Sequence, residues 1–148
     1  MIKTVLTRED AQEIMKLGRR LHQESRFKDQ EFDALRCWLV LEQTLQQPDK
    51  YFIAFDSEYR GFILMAMTEE FFSGSKWAGD RCLYIAPEHR GGSLVVRLLN
   101  AAQDWAKANG AKEMVIIHNT GIDMEKAPKL FNKLGFDMKG YICAKEIL

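Results

Sequence analysis

Chemistry concentrates in one stretch, Leu83-Tyr84-Ile85-Ala86-Pro87-Glu88-His89-Arg90-Gly91-Gly92-Ser93-Leu94-Val95. An apolar run ends at Ala86-Pro87, a turn follows with Arg90-Gly91-Gly92, and helical apolar spacing begins at once. The two glycines remove side chains where a ligand would approach the backbone. Unpaired N–H groups and the positive end of the helix dipole then face outward, and Arg90 adds a full charge. This spacing points to an anion site, with phosphate or pyrophosphate as its natural occupant. Strand-to-helix turns also carry glycine for tight geometry alone, so local chemistry leaves both readings open.

The elements that must position this turn read from periodicity. Leu94, Val95, Leu98, Leu99, Ala102, Trp105 and Ala106 recur at three and four, and Gly110 stands just past the end of that helix. A strand from Trp77 to Ile85 leads into the turn, and Met114-Val-Ile-Ile117 reads as a buried strand, giving a β-α-β unit from Trp77 to Ile117. Upstream, Tyr51–Phe55 and Gly61–Met67 flank the polar Asp56–Arg60, a hairpin pattern. Thr7 lies three residues before Asp10 and caps a helix with Ala11, Ile14, Met15, Gly18 and Leu21 on its apolar side. A second helix is expected from Gln30 to Gln47, with Phe32, Leu35, Trp38, Leu39 and Leu45 on one side and Pro48 ending it. Ala127, Leu130, Phe131 and Leu134 form a last helical stripe closed by Gly135, and Phe136 to Ile147 reads as one or two strands. The pattern predicts one mixed α/β (α+β) domain over residues 1–148.

Composition narrows the class. The chain has 148 residues, 47% hydrophobic and 28% charged, with 3 Pro and 10 Gly, which excludes disorder and low complexity. No apolar run approaches the ~18 residues of a membrane helix, and the N-terminus lacks the apolar stretch of a signal peptide. Lys+Arg and Asp+Glu both number 21, so no global field favours nucleic acid or an anionic membrane. Cys37, Cys82 and Cys143 are scattered without a CxxC spacing, which argues against a disulfide framework or a zinc site and fits a reducing cytoplasm.

The central stretch resembles the acetyl-CoA-binding motif of the GCN5-related N-acetyltransferase (GNAT) superfamily, a strand ending in apolar-x-Pro-Glu-Tyr-Arg-Gly-x-Gly-x-Gly before a long helix. Ile85, Pro87, Glu88, Arg90 and Gly91 match position by position. Lys129-Leu-Phe-Asn-Lys-Leu-Gly-Phe136 is similar to the family's Leu-Tyr-x-x-Leu-Gly-Phe run, and the resemblance covers nearly the whole chain, most like small stand-alone phage and bacterial members. It implies a central mixed sheet of about six or seven strands with helices on both faces. It also implies acetyl transfer from acetyl-CoA to a primary amine of a small molecule or protein by direct attack, and it is compatible with a homodimer. Leu83, Tyr84, Ile85, Arg90, Gly91, Gly92, Ser93, Leu94, Val95 and Asn119 would then bind the cofactor. The cofactor strand commonly carries a bulge and pairs with the pantetheine arm as with an added strand, and a backbone N–H near Tyr84–Ile85 would stabilise the oxyanion.

Two departures bear on activity. Ser93 and Val95 stand where the family has glycines: Ser93 offers a hydroxyl as helix cap or phosphate donor, whereas Val95 threatens to crowd the cofactor. Phe131 stands where many relatives carry a tyrosine thought to protonate the departing thiolate. Loss of that donor is tolerable, because a thiol of pKa ~8.5 leaves readily near neutrality. Deprotonating the acceptor is the larger demand, since a lysine-like amine of pKa ~10.4 is neutral about once in 2,500 at pH 7. By the resemblance Asp80, on the cofactor strand, is the first base candidate; Glu69 and Glu70 are near alternatives, and Tyr141 is the leading acid donor. As residues alone, these read first as an exposed strand-start carboxylate, a solvated pair and a packed strand aromatic.

The remaining candidates weigh less. His118 follows a strand without a partner at metal-ligand spacing, His89 reads as exposed beside the turn, and His22 reads as a helix-end cap. Arg19, Arg20, Arg26 and Lys28 form a basic cluster that is either a solvated helix face or a wall of the acceptor site. Phe71, Phe72 and Trp77 either line that site or pack in the core. A CoA-binding module without turnover, and an interaction protein using the Arg19–Lys28 surface, are the competing readings.

Overall fold

Thr7 starts the first helix in the manner its spacing requires. Its hydroxyl accepts from the Asp10 amide at 3.1 Å, and the Asp10 carboxylate accepts from the Thr7 amide at 3.0 Å, a reciprocal capping box. In the computed structural model, which describes residues 1–148, helix α1 runs Arg8–Glu24 and buries Ala11, Ile14, Leu17 and Leu21. Asp10 is also buried, bonded to the Tyr59 hydroxyl at 2.6 Å and to Lys3 at 3.1 Å, so one carboxylate ties helix, hairpin turn and N-terminus together.

Helix α2 is shorter than the sequence predicts, Ala34–Gln46, because the Asp33 side chain caps it by accepting from Arg36 N–H at 3.0 Å. Its expected apolar side is corrected. Leu35, Leu39 and Leu45 are exposed, and the helix instead buries Leu41 and Thr44, with the Thr44 hydroxyl satisfied by Leu41 O at 2.7 Å. The aliphatic residues of this helix ring it on more than one side, so periodicity alone chose the wrong stripe.

The hairpin forms as β2 (Tyr51–Asp56) and β3 (Gly61–Glu69), followed by β4 (Lys76–Ile85), the long helix α3 (Leu94–Ala108), β5 (Glu113–Val115) and α4 (Lys126–Lys133). A two-residue strand β1 (Ile2–Lys3), too short to carry a pattern, adds to the outer edge of β2. The sheet order is β1-β2-β3-β4-β5, antiparallel except for the β4–β5 pair. Five strands form rather than six or seven: Phe136 to Ile147 contains none. A terminal strand needs a ladder to join, and β5 offers only three residues before leaving the sheet.

Helices cover both faces, as expected. On one face α1 and α2 pack over Ile53, Phe55, Phe62, Leu64 and Tyr84. On the other, α3 lays Leu94, Leu98, Leu99, Ala102 and Ala106 over Ala54, Ile63, Met65 and Ala78, with Phe131 of α4 and its C-cap Leu134 at the margin.

Candidate active site

Two irregularities in β4 create the site. The β3–β4 register passes from Leu64↔Cys82 to Met65↔Asp80, so Arg81 is an extra residue, a β-bulge. The parallel β4–β5 pairing ends at Gly79↔Val115, and β4 runs on alone to Ile85. The two strands therefore fork. Backbone alternation fixes what the open edge presents: the Ala86 N–H donates to Arg60 O at 2.9 Å across the hairpin, so Tyr84 also faces β3, while Leu83 and Ile85 direct their peptide groups into the fork. The Ile85 carbonyl is taken by Arg90 Nε at 2.8 Å, which leaves its N–H as a free donor. Of the two residues expected near the oxyanion, Ile85 is thus on the open edge and Tyr84 is not; the Tyr84 ring is buried beneath α1 and α2.

Asp80 sits at the apex of the fork. Its Oδ1 accepts from Ile117 N–H at 2.6 Å, replacing the backbone partner that β5 has lost. Burial pushes its carboxyl up to about 6, against the opposing pull of the Ile117 bond. One oxygen remains free, and a carboxylate of that basicity is matched to proton transfer near neutrality. Cys82, one residue past the bulge, is pushed up to about 11 by burial and stays a thiol.

Past the strand, Pro87–His89 forms a short 3-10 turn and the chain enters α3. Gly91 holds φ +91, a left-handed conformation suited to glycine, and a Cβ on Gly91 or Gly92 would meet nothing within 4 Å. None of the backbone N–H groups from Gly91 through Val96 donates to another protein group. This is a run of donors converging at the positive end of a 15-residue helix. The Ser93 hydroxyl makes no capping bond, so it remains available beside them. Val95 packs against the α3-side core, and Leu94 is buried there too.

Arg90 is engaged within the protein. Its guanidinium folds back onto α1, forming a two-point bond to Glu24 at 2.7 and 2.9 Å, and lies 5.5 Å from the Tyr84 ring centre. That pairing ties the turn to α1. A second pair of opposite polarity, Arg20 to Glu88 at 2.8 and 2.9 Å, binds the same turn to the same helix one turn earlier. Glu24 was invisible as a site residue: it lies 66 positions from its partner, and no local pattern marks it.

The remaining candidates fall mostly outside the fork. Glu70 braces its own loop through the Ser73 hydroxyl and amide and the Phe72 amide. Glu69 pairs with Lys76 at the far end of β4. Tyr141 is 90% exposed and belongs to no strand. Asn119 is exposed, and its carbonyl accepts from Arg26 Nε at 2.6 Å. His22 bonds Gln30 O at 2.8 Å, and His89 is exposed. The basic cluster is largely engaged: Arg19 stacks on Phe32, Arg20 pairs with Glu88, and Arg26 stacks on Phe27. Phe71 and Phe72 are both over 90% exposed, packed only on each other. Phe131 packs against Phe136 and lies near His118.

The family model described as acetyltransferase (GNAT) family matches residues 11–136, which span both helices, the fork, the donor turn and α4. The chain belongs to the GNAT family. As a GNAT domain it superposes on AAC(6')-Iy bound to the bisubstrate analogue CoA-S-monomethyl-acetylneamine, with TM-score 0.76 at 18% identity, covering 100% of this chain and 97% of the other. It is also similar to glucosamine-6-phosphate N-acetyltransferase from Arabidopsis thaliana (TM-score 0.74, 12% identity, 99% and 97% covered). A Trypanosoma brucei acetyltransferase superposes over 99% of both chains (TM-score 0.72, 13% identity). No curated protein matches this GNAT sequence.

Proposed function

We propose that the protein is an N-acetyltransferase that moves an acetyl group from acetyl-CoA to a primary amine by direct attack. The observation that carries this reading is the run of unbonded N–H groups from Gly91 to Val96, opening beside the fork between β4 and β5. The residues present fit CoA: the turn provides a cradle for pyrophosphate, with the Ser93 hydroxyl beside it, and the free edge at Leu83 and Ile85 offers peptide groups to a pantetheine amide chain. Acetyl-CoA brings the activated acyl group as a thioester; orientation and proton handling fall to this chain.

The Ile85 N–H donates to the oxygen on which negative charge develops, a role that typically contributes about 100-fold or more. Asp80, at the apex where a chain running down the fork ends, accepts the proton of the attacking amine directly or through one water. No acid is assigned: Phe131 has no proton to give and Tyr141 lies in the exposed tail, so the thiol leaves as a thiolate near its ordinary pKa of ~8.5. Asn119, four residues past Val115 where the β5 pairing ends, is assigned as a contact for the pantetheine arm through its exposed side chain. The free cysteines fit a reducing cytoplasm, and no helix is long and apolar enough to cross a membrane.

Calorimetric titration with CoA and acetyl-CoA tests the cradle directly. Gly92→Asp, whose side chain enters open space, places a carboxylate among the donors and is expected to weaken CoA at least tenfold without loss of fold. Equal affinity in wild type and variant, or no binding in either, overturns the reading.

A further inference from the structure

The bulge at Arg81 has a second effect, on the opposite face of the sheet from Asp80. Asp80 pairs with Met65, which belongs to the α3-side core. Arg81, being the extra residue, escapes that alternation and reaches the α2 face beside Ala66. There it lines a solvent-open cavity of about 360 Å³ with Arg36, Gln43, Tyr51 and Leu39. Arg81 Nη1 donates to Gln43 Oε1 at 3.2 Å, and its guanidinium lies 5.9 Å from the Tyr51 ring centre.

These two arginines differ from others in the chain. Arg20, Arg60 and Arg90 each pair with a carboxylate, and Arg19 and Arg26 stack on phenylalanines. Neither Arg36 nor Arg81 has a carboxylate within ion-pair distance. Two unpaired guanidiniums converging on one cavity make a two-point holder for a carboxylate or phosphate. Leu39, half exposed on α2, and Ala66 supply apolar wall for a short aliphatic stem. Arg81 directly follows Asp80 at the bulge, so in this assignment a molecule anchored in the cavity extends its other end past the bulge toward the apex.

We propose that this cavity is the acceptor site, and that it selects a small amine carrying an anionic group, carboxylate or phosphate, held by Arg36 and Arg81. The assignment rests on the acetyltransferase reading for its amine, but the anion site itself does not. It also explains why the second helix exposes Leu39: that side chain faces a ligand volume rather than the core.

The test has two arms. In the first, CoA-saturated protein is titrated with inorganic phosphate and observed by NMR at the arginine Nε–H and backbone signals. Saturable shifts at Arg36, Gln43 and Arg81 are expected, with affinity falling at least tenfold in the Arg36→Met/Arg81→Met double variant while CoA affinity is unchanged. Absence of saturable shifts there at tens of millimolar phosphate overturns the proposal. In the second arm, acetylation of phosphoethanolamine and β-alanine is compared with that of ethanolamine and spermidine. The anionic amines are expected to show kcat/KM at least tenfold higher, with the carboxylate and phosphate members separating the two anion classes, and the preference is expected to vanish in the double variant. A preference for spermidine, or one that survives both substitutions, overturns it. If CoA itself does not bind, the proposed function falls, while phosphate shifts at Arg36 and Arg81 in the CoA-free protein still decide the anion site.

Discussion

Asp80 carries two demands that pull in opposite directions. Held as an anion at neutral pH it is available as a base, yet burial makes the anion costly, so its carboxyl is pushed up to about 6. A folded-state pKa above the unfolded value means that the native state binds the extra proton. The group favours the fold below its unfolded pKa of ~3.9, and that contribution is lost as pH rises through about 6. Asp80→Asn keeps an acceptor for Ile117 N–H and removes the buried charge. The variant is therefore expected to melt about 2–4 °C higher than wild type at pH 7.5, with the gap closing by pH 4. Its kcat is expected to fall about 100-fold, and the wild-type rate to rise with pH to a plateau set by an apparent pKa near 6. A scanning calorimeter and a thiol-release assay check both; unchanged turnover in Asp80→Asn removes Asp80 as base. Asp80 was legible from its strand, but its bond to Ile117, 37 positions away, was not.

At the scale of elements, the donor turn is held against α1 by two arginine–glutamate pairs of opposite polarity. Their worth differs. Arg20 and Glu88 are 46% and 53% exposed, where a pair contributes about 0–1 kcal/mol, so Arg20→Ala is expected to leave CoA affinity nearly unchanged. Arg90 and Glu24 are 27% and 29% exposed, and Arg90 also satisfies the Ile85 carbonyl. Arg90→Met and Glu24→Ala are each expected to weaken CoA about three- to tenfold, and together to cost less than the product of the two, because both release the same turn. Additive losses in a calorimetric double-mutant cycle place Arg90 on the ligand instead. Arg90 was readable in the sequence as a candidate, yet its pairing with Glu24 was not: charge near a helix start reads as anion-binding whichever way the side chain turns. The long helix was clear because its apolar stripe and Gly110 agree, with Gly110 at φ +84 just past Ala108. The second helix failed on the same criterion, since aliphatic residues on several sides leave the stripe undetermined.

For the molecule as a whole, a mixed α/β domain followed from the alternating patterns and the two-faced sheet from the family resemblance, whereas the expected count of strands did not hold. Strand number depends on which edges remain available for pairing, a property of the assembled sheet; no window of sequence contains it. The tail from Phe136 has strand-forming residues such as Tyr141 and Ile142, both exposed, and lacks a partner edge. Ligand binding should be visible at this scale too. Saturation at 100 times Kd contributes about 2.7 kcal/mol, so CoA is expected to raise the melting temperature by about 5–10 °C in wild type. Much less is expected in Gly92→Asp.

The fork leaves part of β4 without a neighbour on one side: the peptide N–H groups of Leu83 and Ile85 face outward from the apolar end of the strand. Such an edge pairs readily with any extended chain, including another copy of itself. A cosubstrate that lies along it acts as a removable selvedge. On the proposed function, solubility follows CoA supply: without CoA the protein is expected to precipitate on concentration and warming, and excess CoA in the lysis buffer is expected to hold it monodisperse by light scattering.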